Sequence, residues 1–276
     1  MINPRLELDE KFLGNELDLD VWFPYYLPHW SSRSRSAAKY AVQDGELHLI
    51  IPMDQPLWCD GLHEEPLRIS VVQTGSFAGP LGSTIGQQPF RAGLQVQEEQ
   101  PTFWGYTPHC GQVEVRMKAR VTPRSMFAFY MSGIEDRPER SGETCVVEVF
   151  GETILDGSSE VGIGVKRLGD PALSQEFSAR RIDIDVSEFH TYGVEWRRRH
   201  LDFTIDGEVV RRVLQSPDYP MQLMLGVFDF PAKAGATVDE TAIPELVIAH
   251  VRGTRPPLNA VDRKVRRAVR PPGGIR

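Results

Sequence analysis

An all-β fold, a sandwich or barrel of antiparallel strands, is what this sequence predicts, and three observations predict it. Short runs of β-branched and aromatic residues recur with turn residues between them. Several of these runs alternate apolar and polar side chains with period two, and long amphipathic helical patterns are scarce. In chain order the runs are Glu46 to Ile51 after the turn pair Asp44-Gly45, Gln112 to Val121 after Gly111, Ser125 to Met131, Thr144 to Phe150, Val161 to Arg167, His190 to Trp196, His200 to Ile205 and Gln222 to Phe228. In the second run Val113, Val115 and Met117 stand against Glu114, Arg116 and Lys118, which gives one buried and one watered face. The third, SMFAFYMSG, is apolar on both faces, so it is either a doubly covered core strand or a strand that offers Phe129 to a ligand. LDFTIDGEVVRRV alternates about Asp206-Gly207, the signal of a two-residue hairpin joining Leu201–Ile205 to Glu208–Val213.

Between Gly61 and Cys110 lies a long segment rich in Gly, Pro and Gln. It carries Phe77, Phe90, Phe103, Trp104 and Tyr106, and is expected to be an ordered loop that packs down or frames a groove.

The 276 residues, 41% hydrophobic and 25% charged with 24 glycines and 21 prolines, fit one large β domain, expected over residues 1–258. Residues 259–276 form a basic, proline-rich tail expected to be solvated. The net charge of -7 is more negative without that tail, which argues against nucleic acid as the main partner. No stretch approaches 18 uninterrupted apolar residues, so no membrane-spanning helix is expected. The first residues lack a basic and apolar leader pattern, so the expected location is cytoplasmic, or exported with the signal removed. Cys59, Cys110 and Cys145 are too few for a disulfide framework and are expected as free thiols.

HExxH, paired CxxC, GxxxxGK[ST], strand-to-helix GxGxxG and GxSxG patterns are all missing, so metalloprotease, zinc-ribbon, P-loop, Rossmann and serine-elbow chemistry lack support. The seven histidines show no paired ligand spacing; His109, near Trp104 and Tyr106, is the one that suits a groove.

The segment Gly142-Glu143-Thr144-Cys145-Val146-Val147-Glu148-Val149-Phe150-Gly151 places two glutamates on one strand. Their odd separation puts them on opposite faces of a regular strand. They are then either a solvent-facing acid at each end or, if a β-bulge lies between them, a carboxylate pair turned to one site, as a retaining glycosidase requires.

Several segments together resemble glycoside hydrolase family 16, the laminarinase and lichenase group. GETCVVEVFG is similar to that family's bulged E-x-D-x-x-E strand, FHTYGVEW (Phe189 to Trp196) and LDFTIDGEVV (Leu201 to Val210) to its FHxYxxEW and DG-hairpin strands, and CGQVEVRMKA (Cys110 to Ala119) to its YGxxEVRMKA strand. SMFAFYMSG, DGELHLI and YPMQLMLGVF fit further strands, so the resemblance covers about residues 10 to 255.

It implies a concanavalin A-like jelly roll of two antiparallel sheets and an endo-acting hydrolase of β-1,3- or β-1,3-1,4-glucan, with Glu143 as nucleophile and Glu148 as acid/base. Cys145 stands where the family has Asp. Its loss is expected to ease ionisation of Glu143 and to weaken the electrostatic push that keeps the acid protonated. Phe228 stands where the family often has Trp. Trp104, Phe129 and Phe228 are the expected sugar platforms, with Trp30 and Trp58 as additions and His109 beside them. No cofactor is required. A structural calcium, as in many relatives, would draw on Asp9, Glu10 and Asp239, although no ligand spacing is readable. The expected partner is a polysaccharide or oligosaccharide, and the expected state a monomer. A non-catalytic carbohydrate-binding protein on the same scaffold is the alternative.

Overall fold

The computed structural model describes residues 5–233 and 242–256. Its strands are β1 (Arg5–Glu10), β2 (Lys39–Gln43), β3 (Glu46–Ile50), β4 (Arg68–Gln73), β5 (Gly75–Ser76), β6 (Phe103–Trp104), β7 (Gly111–Arg120), β8 (Ser125–Gly133), β9 (Glu143–Phe150), β10 (Ser159–Lys166), β11 (Glu176–Ile182), β12 (His190–Arg197), β13 (His200–Ile205), β14 (Glu208–Val213), β15 (Met221–Asp229) and β16 (Glu245–Arg255). One sheet runs β14-β13-β12-β7-β16-β3-β2, with β1 also paired to β16; the other runs β11-β10-β9-β8-β15-β4. All pairings in the two sheets are antiparallel. Packed face to face, they make a jelly-roll sandwich.

The alternation read in β7 holds: Val113, Val115, Met117 and Ala119 enter the core between the sheets, where they meet Tyr192 and Val194 of β12 and Leu223, Leu225 and Val227 of β15. The β13–β14 hairpin turns at Asp206 (φ 49°) and Gly207 (φ 83°), both left-handed, as a type I′ turn requires. Asp44 (φ 55°) and Gly45 (φ 76°) make the same turn between β3 and a strand the sequence reading did not include, β2.

β1, β4, β11 and β16 were also not read from the sequence, although β16 is central, pairing with β7, β3 and β1. Its phase slips: Leu246 and Ile248 face the core, but a register shift between Ile248 and His250 makes Val251 the next inward residue. A period-two search loses the strand at that point.

β8 is covered on both faces. Phe127, Phe129 and Met131 lie in the inter-sheet core, whereas Met126, Ala128 and Tyr130 join a second apolar cluster on the other face of the six-stranded sheet. Leu27, Trp30, Trp58, Cys59, Leu67, Leu94 and Val96 from the covering loops complete that cluster. The long segment after Gly61 therefore packs down, and Trp30 Nε1 donates to the Gln87 carbonyl at 2.6 Å to fasten it. The covering loops pack on β4, β15 and β8, and the cluster extends to Cys145 of β9.

The three cysteines are unpaired. No helix among the described residues is long and apolar enough to cross a membrane. The tail at 259–276 and Asp239 lie outside the described residues.

Candidate active site

β9 contains the bulge. Against β8, Phe129 pairs with Val147 and Tyr130 with Cys145, so Val146 is the extra residue; against β10, Gly162 pairs with Glu148 and Gly164 with Cys145. Val146 and Val147 consequently both enter the inter-sheet core, together with Val149. The residues before and after them, Glu143, Cys145 and Glu148, emerge on the loop-covered face. Two consecutive valines suit the bulge, because both inward positions it creates are apolar.

A lysine joins the two acids. Lys166, at the end of β10, places Nζ 3.0 Å from Glu143 Oε1 and 2.9 Å from Glu148 Oε2. The two oxygens are therefore no more than about 6 Å apart, a limit that accommodates the roughly 5 to 5.5 Å carboxyl spacing of retaining glycosidases. Nζ also lies 4.5 Å from the centre of the Phe177 ring. Gly162 makes room for that ring, since a Cβ at this position would meet it at 2.7 Å. The sequence reading missed Lys166. The signal was present: with Val161, Ile163 and Val165 facing inward, residues 162, 164 and 166 must share the outward face.

Glu143 is 8% exposed. Burial pushes its carboxyl above the ordinary value, against the pull of Lys166 and with the help of Glu148. Desolvation thus acts on Glu143 in the opposite sense to the loss of the Asp, which is expected to ease its ionisation. Burial works against the Lys166 ammonium, but Glu143, Cys145 and Glu148 hold its pKa above the ordinary value. The Cys145 thiol, 1% exposed with Sγ 3.6 Å from the Gly162 carbonyl, is held neutral by burial, then by Glu148. Tyr26 and Tyr130 lie near Glu143, and burial pushes Tyr26 up to about 12 and Tyr130 above its ordinary value, so both phenols stay protonated. Below them Tyr219 accepts from the Gly142 amide at 2.8 Å and donates to Asp170 at 2.6 Å, which ties the start of β9 to the turn after β10.

A cavity of about 700 Å³ opens beside Glu143. Tyr26, Trp58, His63 and Phe90 form its aromatic side, with ring centres 5.0 to 5.7 Å apart in contacting pairs. These rings, rather than most of those expected, face the site; of the expected aromatics only Trp58 lines the cavity. Phe129 is corrected outright: fully buried between the sheets, it has no face to offer a sugar. Phe228 is on the right side of the sheet but 5% exposed, with the edge-on Tyr26 ring 5.6 Å away. Trp30 is buried in the second cluster. Trp104 is 46% exposed on the short β5–β6 ribbon, and His109 packs on Trp196 at 5.8 Å with Nε2 2.9 Å from Asp218; neither lines the cavity.

Asp9 is paired with Lys11 at 3.2 Å and His250 at 2.7 Å, and Glu10 accepts from the Phe12 amide. Among the described residues no three His, Cys, Asp or Glu side chains are grouped to hold a metal.

The sequence model described as Glycosyl hydrolases family 16 matches residues 106–241, a span that includes both glutamates and Lys166. The chain is 34% identical over 105 residues to a Beta-glucanase of Fibrobacter succinogenes and 29% identical over 164 residues to a Beta-glucanase of Acetivibrio thermocellus. These matches cover 37% and 56% of this chain but only 29% and 41% of those relatives, less than half of either. Among solved structures it resembles a GlcNAcα1-4Gal releasing endo-β-galactosidase from Clostridium perfringens, with TM-score 0.76 and 25% identity over 92% of this chain and 62% of that one. A laminarinase from Flavobacterium sp. UMI-01 shares the fold at TM-score 0.62 and 18% identity, over 91% of this chain and 100% of that one. Family model, curated relatives and fold together support assignment of the chain to glycosyl hydrolases family 16.

Proposed function

We propose that the protein is a retaining, endo-type glycoside hydrolase of β-linked polysaccharide, with β-1,3- and β-1,3-1,4-glucan as the first substrates to test. The observation that supports this best is the bulge at Val146, which turns Glu143 and Glu148 to one face beside a cavity large enough for a sugar ligand. Glu143 attacks the anomeric carbon as the bond to the leaving oxygen breaks. Glu148 gives that oxygen its proton, then takes one from the water that displaces Glu143. Lys166 holds both side chains in place. The beta-glucanase relatives support glucan, and the Clostridium neighbour keeps galactan in view.

Reducing-end release from laminarin, lichenan, agarose and carrageenan, with Glu143→Gln as control, tests the proposal. Hydrolysis by the native protein and its loss in the variant are expected. The buried neutral thiol at Cys145 favours a second reading, a carbohydrate-binding protein, and binding without cleavage by either form would select it. If the hydrolase reading holds, Cys145→Asp places a third carboxyl between the other two. Its charge should raise the pH at which Glu143 ionises, moving the acid limb of the pH–rate profile up by about one pH unit. An unmoved limb would show that this position has no electrostatic influence on Glu143.

A further inference from the structure

The cavity beside Glu143 has a polar wall that the double-displacement chemistry does not use. Glu135, in the turn after β8, accepts a hydrogen bond from the Gln88 backbone amide at 2.7 Å and so clasps the covering loop to the sheet across the cavity. Both residues have left-handed backbones, φ 57° at Glu135 and φ 48° at Gln88. Such strained conformations in non-glycine residues concentrate at ligand sites.

The side-chain Nε2 of Gln88 and the hydroxyl of Ser141 are buried without a hydrogen-bond partner among the described residues, and both residues line the same cavity. Ser141 is only 4% exposed. Buried polar atoms are seldom left unpaired. The wall thus offers an amide donor, a hydroxyl and a carboxylate oxygen not taken by Gln88. The aromatic side opposite suits the C–H face of a pyranose. Among the described residues no lysine or arginine lines the cavity.

The cavity touches Glu143 but not Glu148. The sugar whose anomeric carbon meets Glu143 therefore lies inside it, and the leaving group lies outside, toward Glu148. We propose that Glu135, Gln88 and Ser141 form the recognition wall for the glycone, and that they select an uncharged sugar by hydrogen-bonding its hydroxyls and repelling sulfate or carboxylate substituents. This rests on the hydrolase reading for the word glycone, but binding to the wall does not require cleavage. Burial pushes Glu135 up to about 7, partly offset by the Gln88 amide, so the wall carries its full negative charge only above neutral pH.

The test uses the full chain at pH 8 with laminaritetraose, neoagarotetraose and a sulfated carrageenan tetrasaccharide as titrants. Binding is measured in Glu143→Gln, so that no substrate is consumed, and hydrolysis in the native enzyme. At least one neutral tetrasaccharide should bind at least about ten-fold more tightly than the sulfated one. Adding Glu135→Ala should weaken that binding by about ten- to a hundred-fold, the scale of a lost hydrogen bond to a charged group. In the otherwise native enzyme the same change should raise KM with little change in kcat. Glu135→Gln retains an acceptor and guards against collapse of the clasp; it should hold the neutral ligand within a few-fold while narrowing the gap to the sulfated one. Ser141→Ala should weaken neutral binding independently. Equal affinity for sulfated and neutral ligands, or Glu135→Ala without effect, would overturn the assignment while leaving the hydrolase reading intact. Neutral binding with no hydrolysis by the native enzyme would overturn the hydrolase reading alone, and no binding of any of the three would remove both.

Discussion

Glutamine at position 143 is expected to reduce hydrolysis of every substrate by about 10⁴-fold or more, whereas glutamine at position 148 should slow the first, bond-breaking step only where the leaving group needs a proton. The two carboxyls share one face and one lysine, so position alone does not separate their roles. Leaving-group chemistry does. An aryl glycoside with an acidic phenol departs without protonation, so Glu148→Gln should still form the glycosyl-enzyme and then stall for want of a base to activate water. A burst of phenol followed by slow turnover is the expected trace. Azide, which needs no base, should restore turnover and give a glycosyl azide of retained configuration. In Glu143→Gln no covalent intermediate forms, so there should be no burst, and any azide product should be inverted. A burst in Glu143→Gln, or azide products of the same configuration from both variants, would reverse or abolish the assignment.

The sequence revealed the architecture through strands whose alternation is uninterrupted, as in β7 and β12, and through Asp206-Gly207, where backbone chemistry dictates the turn. It concealed strands where the period breaks. β16 changes phase at a register shift, and no local pattern reports that its neighbours are β7 and β3.

The site divides in the same way. The glutamates were legible because two acids flank a β-branched run, and the need for a bulge followed from their odd spacing. Lys166 was harder: it lies 18 residues beyond Glu148, and only the pairing of β9 with β10 brings it to the acids. Aromatics were the least legible, since a ring's usefulness depends on which face of the sheet it occupies and what covers it. Phe129 and Tyr130 are adjacent, yet one ring lies between the sheets and the other on the cavity side. Tyr26, His63 and Phe90 reach the cavity from separate loops, a convergence set by the packing of the second cluster.

Methionine in place of Lys166 should keep much of the side chain's length and remove the cation that lies over Phe177 and bridges the acids. Glu143 already titrates above its ordinary value because it is buried, and Lys166 is the principal influence acting the other way. Without it, Glu143 should titrate higher by about 1 to 3 pH units, since an adjacent cation moves a carboxyl by that much. The nucleophile must be ionised, so the acid limb of kcat/KM should move upward by the same interval, and well below it the rate should fall about ten-fold for each pH unit that the limb moves. Stability must follow with a definite sign. A carboxyl whose folded-state pKa is raised favours folding while protonated, and that contribution is lost as pH rises through the folded pKa. The variant should therefore approach native stability in acid and lose about 3 kcal/mol at alkaline pH, where two largely desolvated carboxylates face each other without a counter-charge. Melting temperatures from acid to alkaline pH, read beside the pH–rate profile, check both consequences, and Lys166→Arg, which restores the charge, should recover much of each. A variant whose acid limb and melting curve track the native ones would show that Lys166 does not set the ionisation of the pair.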